Sequence, residues 1–253
     1  MPLQHILSFQ LYSSRAFPPI GKQLSELAAL SYTNVEPYDD LYADPEAFAA
    51  LLIGNSLTAI SGHFSLAVLE ADPEKAISIA QVLGMSIIVA PWLDPKDRPM
   101  DASGWKALSR RLSAVSARLA DSGLLFAWHN HDFEFVALPD GSYPIEHMFE
   151  GNDVGFEIDV AWLIQAGEDP VAWMTRYSDR IVAVHIKDIA PQGENLDQDG
   201  WTDIGKGVID WNALWPVVSS TAARLTVIEH DNPADWLGFA RDSAATVRRI
   251  ASA

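Results

Sequence analysis

VGFEIDVAWLIQAGEDPVAWMTRYSDRIVAVHIKD, residues 154–188, contains two short apolar, β-branched runs, VGFEID (154–159) and IVAVHIKD (181–188). Each is short enough for a strand and too short for a lone helix. Six more runs of this kind surround them: HILSFQL (5–11), NVEPY (34–38), LTAISGH (57–63), MSIIVAP (85–91), LLFAWHNH (124–131) and LTVIEH (225–230). Strand ends near Phe9, Glu36, His63, Ala90, His129, Asp159, His185 and Glu229 are separated by 27, 27, 27, 39, 30, 26 and 44 residues. One βα unit takes about 30 residues. Eight units in a row form either an open doubly wound sheet or a closed barrel. An open sheet would carry a Gly-rich phosphate turn after its first strand, and none follows the first run. Polar residues gather at the C-terminal ends of several runs, where a barrel builds its active site. The sequence therefore predicts a single (β/α)8 TIM barrel, with residues 1–253 as one domain.

Helical signals fall between the runs. They cover Lys22 to Leu30, Asp72 to Leu83 with Asp72-Pro73 as cap and first turn, and Trp105 to Ala120 before the Ser122-Gly123 stop. Asp210 is placed to cap a helix from Trp211 to Ser219, with Pro216 expected to kink or end it. The two long intervals hold PWLDPKDRPMDASG (91–104) and IAPQGENLDQDGWTDIGKG (189–207). Both follow strands, so both are expected on the catalytic face, covering the site.

The net charge of −17 repels phosphate backbones and anionic headgroups, which argues against nucleic acid and membrane as partners and suits a cation. No cysteine is present, which excludes disulfides, thiolate zinc sites and cysteine nucleophiles. The opening MPLQHILSFQLYSSR shows no signal-peptide pattern, and no apolar run approaches the length of a membrane span. A cytoplasmic location is the expectation, with homo-oligomerisation left open.

The chemistry-bearing residues sit at strand ends. WHNHDFE (128–134) presents His129 and His131 on one face of the strand, with Glu134 close behind. Two imidazoles and a carboxylate suit metal binding or proton transfer, and two loop histidines are the plainer reading. Glu157 and Asp159 share a face, and a carboxylate aimed into a barrel is unfavourable unless paired or bound to a cation. The plainer reading has Asp159 capping the next helix. His185 and Lys187 share a face of the seventh strand, and Glu229-His230 ends the eighth. Asp159, His185 and Glu229 come from three neighbouring strands, an O/N set that suits Mn²⁺, Mg²⁺, Co²⁺ or Zn²⁺. Glu36 and His63 either hydrogen-bond a polar substrate or cap local turns. Trp128 and Trp162, beside these motifs, can stack on a sugar ring, while Asn130 lies among the strand-5 residues expected to face substrate.

Together WHNHDFEF (128–135), GFEIDVAWLIQAGEDP (155–170), VAVHIKD (182–188), DIGKGVIDW (203–211) and VIEHD (227–231) resemble the xylose-isomerase-like TIM barrels, the group named sugar phosphate isomerases/epimerases. The resemblance runs from the second strand to the eighth. It implies one divalent ion held by acids on strands 5, 6 and 8 and a histidine on strand 7, which maps onto Asp159, His185 and Glu229. Strand 5 departs from the pattern, with His129 where many relatives have Glu. Either Glu134 folds back to complete the shell, or His129 ligates, or His129 acts as base. Multi-zinc relatives such as the DNA-repair endonucleases tend to have a histidine three residues after the strand-6 Asp, and here that residue is Trp162.

The implied activity is a metal-dependent sugar isomerase or epimerase, acting by proton removal next to a carbonyl through a metal-stabilised enediolate. His129, His131 and Glu229 are the bases to consider, and Lys187 the group for the developing oxyanion. A lyase or dehydratase on a keto-sugar or keto-inositol shares the first step and is the alternative. A non-catalytic sugar-binding barrel subunit is the reading from another class.

Overall fold

The computed structural model describes residues 5–252; residues 1–4 and 253, part of the expected 1–253 domain, lie outside the described residues. Eight parallel strands form the barrel: β1 (Ile6–Gln10), β2 (Asn34–Glu36), β3 (Ser61–His63), β4 (Ile87–Ala90), β5 (Leu125–His129), β6 (Gly155–Asp159), β7 (Ile181–Ile186) and, after a small antiparallel pair β8 (Asp188–Ile189) and β9 (Trp201–Thr202), the eighth barrel strand β10 (Leu225–Ile228). The ladder runs β2-β1-β10-β7-β6-β5-β4-β3, every neighbour parallel. The remaining seam closes through Val35 N donating to Thr58 O (2.9 Å) and His63 N donating to Pro37 O (2.8 Å).

Among the described residues ten α-helices follow in chain order: α1 (Ile20–Ala29), α2 (Pro45–Gly54), α3 (Leu66–Ala71), α4 (Pro73–Leu83), α5 (Ala102–Ala120), α6 (Pro144–Met148), α7 (Val160–Gln165), α8 (Pro170–Arg176), α9 (Trp211–Ser220) and α10 (Trp236–Ala251). Asp44, Asp72, Asp101, Asp169, Asp210 and Asp235 each accept a first-turn amide as N-cap, where the helix dipole also favours negative charge. Part of the acid excess is therefore structural. Pro216 sits inside α9, and the helix continues past it to Ser220 instead of ending there. The lost donor is a single one near the middle of a ten-residue helix, and the buried Leu214 and Val218 hold the turns on either side.

Strand alternation divides the barrel wall into two faces. Phe9, Val35, Ile88, Phe126, Trp128, Phe156, Ile158, Val184 and Ile228 point outward and join the core against the helices. Burying each such side chain contributes about 1.5–3 kcal/mol. The inward face is apolar toward the strand starts, with Ile87, Val89, Ala127, Ala183, Leu225 and Val227 packed together. Toward the strand ends it becomes polar, with Gln10, Glu36, His63, His129, Glu157, Asp159 and His185 all buried.

The long segment between β7 and α9 is anchored on Asp188. Its carboxylate accepts from the backbone amides of Ile189 (2.9 Å), Gly205 (2.8 Å) and Ile209 (3.1 Å), which accounts for the DIGKG stretch. Gly205 takes φ +86°, and a Cβ on Gly207 would run into the Asp188 carboxylate and the Ile189 carbonyl. Gly207→Ala is expected to lower stability by about 1–3 kcal/mol in urea denaturation. An unchanged midpoint would show that the Asp188 cage gives way without loss.

Candidate active site

At the C-terminal mouth the strand ends enclose a pocket of about 550 Å³. Its wall includes His63, His129, His131, Trp92, Trp162, Trp201 and Asp231, with Tyr12, Arg15, Tyr38, Asp39 and Asp199 toward the rim. The long segments after β4 and β7 supply Trp92, Asp199 and Trp201, so both cover the site as the sequence predicts.

Two overlapping sets of donors below the pocket have ligand atoms within 4.8 Å of one another: His63, His129, Glu157 and His185, and, nearer the mouth, His129, Asp159, His185 and Glu229. The strand ladder creates the second set, because Asp159 on β6 pairs in register with His185 on β7. His185 Nδ1 lies 2.9 Å from Glu229 Oε2. Asp159 Oδ1 accepts the amides of Ala161 and Trp162 (both 2.9 Å), capping α7, while its Oδ2 and His129 Nδ1 are buried without a well-directed hydrogen bond, each with one ionic contact at 3.3 Å, to Lys187 Nζ and Glu157 Oε2 respectively. Capping and ligation thus coexist on one carboxylate. Two buried atoms that can each offer a lone pair, and that make no well-directed hydrogen bond, are a poor arrangement for a resting protein interior and a good one for a cation. The residues fit a divalent ion.

Lys187 is fully buried with Nζ 3.0 Å from Glu229 Oε2, 3.0 Å from Asp231 Oδ1 and 3.3 Å from Asp159 Oδ2. Burial opposes its charge, but Asp159, Asp231 and Glu229 outweigh that and hold its pKa well above the usual lysine value. Burial raises the Asp231 carboxyl to about 6 against the pull of Lys187. His131, between the rings of Trp92 (4.6 Å) and Trp162 (5.1 Å), has its pKa lowered to about 3, first by burial and then by Lys187. It is neutral at physiological pH, and its Nδ1 has no partner.

Residues 24–249 match the family described as xylose isomerase-like TIM barrel. The chain belongs to that family. Inosose dehydratase from Lacticaseibacillus casei is 23% identical over 242 residues, covering 81% of each chain. The rhizopine catabolism protein MocC of Rhizobium meliloti is 28% identical over 167 residues, 59% of this chain and 50% of that protein. Among solved structures, a sugar phosphate isomerase/epimerase from Parabacteroides distasonis superposes with a TM-score of 0.81 at 22% identity, covering 97% of this chain and 94% of that one. The IOLI protein, solved with a binding zinc atom, superposes at 0.76 and 15% identity, covering 100% and 98%.

Within this family barrel several expected site residues lie elsewhere. Glu134 is in neither donor set: its carboxylate accepts from Trp128 Nε1 (2.8 Å) and His131 N (2.9 Å), which turns it away from the mouth. Trp128 does not line the pocket, since alternation puts it on the face opposite His129. Asn130 ties β5 to β6 instead of facing substrate, accepting from Asp159 N (2.9 Å) and donating to Asp159 O (3.1 Å). Glu36 lies beneath the pocket, fully buried, and only His63 of that pair reaches the wall. Trp162 does line it. Trp92, Trp201 and Asp231 are site residues the sequence reading passed over. Asp231 stood inside the VIEHD motif, and the two tryptophans lie in the segments already placed over the mouth.

Burial pushes the Glu134 carboxyl up to about 8 against the Trp128 N–H bond, from an ordinary value of 4.5. The unfolded chain ionises this group at lower pH than the folded chain does. Its contribution to stability is therefore present below about pH 4.5 and lost as pH rises toward about 8. Glu134→Gln should flatten that part of the stability–pH profile while metal uptake stays as in the unaltered protein. Lost metal uptake would return Glu134 to the ligand shell.

Proposed function

We propose that this sugar-modifying enzyme uses a divalent ion to remove the proton next to the carbonyl of an unphosphorylated polyhydroxylated ketone, and then expels water from the neighbouring carbon. A keto-inositol is the leading substrate. The observation that carries the reading is the convergence of ligand atoms from His129, Asp159, His185 and Glu229 beside a pocket wall on which His131 stands neutral with its Nδ1 free of hydrogen bonds.

Asp159, His185 and Glu229 would hold the ion, with His129 in the fourth place. When bound, a divalent ion supplies Lewis-acid stabilisation of negative charge on the carbonyl oxygen. His131 takes the proton as the C–H bond breaks; that electron pair forms a double bond to the carbonyl carbon, and the carbonyl π pair moves onto oxygen. As the carbonyl reforms, the pair shifts to join the α- and β-carbons, the C–O bond of the β-hydroxyl breaks, and the imidazolium returns its proton to the departing oxygen, giving water. A histidine of low pKa is a weak base and, once protonated, a strong acid, which suits the second half of this sequence. Lys187 stays charged throughout and offers a fixed positive group beside the developing oxyanion. Trp92, Trp162 and Trp201 present ring faces for the C–H side of a polyol and exclude water.

The pocket disfavours a phosphate. Asp39, Asp199 and Asp231 face it, Lys187 is ringed by carboxylates, and Arg15 donates Nη1 to the carbonyls of Tyr12 and Asp231. Dehydration is preferred over isomerisation because inosose dehydratases share sequence over four-fifths of this chain, whereas the isomerase/epimerase likeness is one of fold.

The test uses chelator-treated protein reloaded with Mn²⁺, Mg²⁺, Co²⁺ or Zn²⁺ and offered keto-inositols and unphosphorylated keto-sugars. The expected product is lighter by one water and forms only with metal. His131→Ala should lower kcat by roughly 100-fold or more with metal content unchanged. A product of unchanged mass would favour isomerisation or epimerisation, and full activity in His131→Ala would remove the proposed base.

A further inference from the structure

His185 belongs to both donor sets, and it has one nitrogen for each. Its Nδ1 faces Glu229 at the mouth (2.9 Å). Its Nε2 faces inward, 2.8 Å from Glu36 Oε1 and 3.1 Å from Glu157 Oε2. Which nitrogen meets a cation decides whether the ion sits at the pocket or deep in the barrel.

Resting on the metal reading above, we infer that Glu36, assisted by Glu157, is a positioning residue that fixes His185 to present Nδ1 to an ion at the mouth. Glu36 is wholly buried and surrounded by donors. Oε1 receives Gln10 Nε2 (2.9 Å) as well as His185 Nε2, and Oε2 receives the Ser61 hydroxyl. The Gln10 amide is itself fixed, because its Oε1 accepts from Tyr12 N (3.1 Å) and leaves the NH₂ end toward Glu36. Gln10, Ser61 and two imidazoles, those of His63 and His185, all bring hydrogens to the Glu36 carboxylate, and the imidazoles can carry the positive charge that the neutral N–H groups around Glu134 cannot, so Glu36 is ionised and can only accept. The imidazole nitrogen facing it must then carry a hydrogen, and a nitrogen that carries a hydrogen has no lone pair for a cation. His63 Nε2 is in the same position, 2.7 Å from Glu157 Oε2 and 3.1 Å from Glu36 Oε1. With no ion bound, His185 Nδ1 also carries a hydrogen toward Glu229 (2.9 Å), but Glu229 belongs to the mouth set and can turn to an arriving cation, which would displace that hydrogen, whereas Nε2, held by two carboxylates outside the mouth set, keeps its own. A carboxylate behind a ligating histidine also makes that histidine a better donor, and removing such a group costs 10–100-fold in metal affinity.

The experiment measures Zn²⁺ binding by calorimetry in the full chain and in Glu36→Gln, together with ¹⁵N imidazole spectra of the zinc-loaded full chain. The expected spectrum shows His185 ligated through Nδ1 with hydrogen retained on Nε2. The expected Zn²⁺ affinity of Glu36→Gln is weaker by about 10–100-fold, since an amide can also donate toward Nε2 and no longer enforces one tautomer. A group with a merely structural role would lower the melting temperature without moving the affinity. Ligation through Nε2, or equal affinity in a folded Glu36→Gln, overturns the inference and leaves the metal reading standing. Absence of Zn²⁺ binding in the unaltered protein overturns both. If Glu36→Gln fails to fold, the nitrogen assignment in the unaltered protein decides.

Discussion

Four carboxylates, Glu36, Glu157, Asp159 and Glu229, lie inside the barrel with no more than 5% of any of them exposed. An isolated carboxylate there would be protonated or would destabilise the fold. Lys187 supplies one permanent positive charge within 3.3 Å of two of them. His63 supplies a second: burial opposes its charge, but Glu36 and Glu157 raise its pKa to about 10. Burial opposes a charge on His185, but Glu157 and Glu229 outweigh it and hold its pKa well above the ordinary value, so it supplies a third while no ion is bound; a divalent ion on Nδ1 would displace that proton and leave two negative charges for the ion itself to balance. Asp231, at the pocket edge, meets water and lies outside this balance.

That constraint explains the layering of the inward face. The apolar layer of Ile87, Val89, Ala127, Ala183, Leu225 and Val227 closes the barrel floor and keeps water from the charged layer above it. With water excluded, each ion pair above is stronger than it would be at the surface, and each unpartnered atom is less favourable. Parallel register then brings residues from different strands to one height. Gln10 pairs with Glu36, His129 with Glu157 and Asp159 with His185, so the polar layer is a property of the ladder and not of any one loop. A one-residue slip of β6 would carry Glu157 and Asp159 to the helix-facing side.

Periodicities and strand-end chemistry were legible in the chain; directions after a strand ends were not. The intervals between runs were enough for the barrel, because eight βα units of similar length have few ways to close. Asp159, His185 and Glu229 could be grouped because each stands at or just past the end of a neighbouring strand. Period two, applied strictly, would also have turned Trp128 outward, opposite His129. Glu134 follows β5 in a short 3-10 turn, where spacing says nothing about where a side chain points; the Trp128 and His131 N–H groups decide it. Glu36 gave a subtler difficulty. A polar residue at a strand end reads alike whether it meets a substrate or supports a neighbouring side chain, and only the positions of Gln10, Ser61, His63 and His185 tell the two apart.

The departure at strand 5 acquires a physical meaning in this setting. With His129 in the mouth set, the four donors carry two negative charges instead of the three that a glutamate there would bring. Two carboxylates and two neutral imidazoles match the charge of one divalent ion, and the added nitrogen shifts preference away from Mg²⁺ toward Zn²⁺ and Co²⁺. A less negative shell also withdraws less of the ion's positive charge, leaving more of it to act on a substrate oxygen. The same exchange leaves Glu134 free for the Trp128 and His131 N–H groups. It thus holds the backbone that carries His131 into the pocket. The candidate ligand His129 and the proposed base His131 both stand on one short segment, residues 128–134.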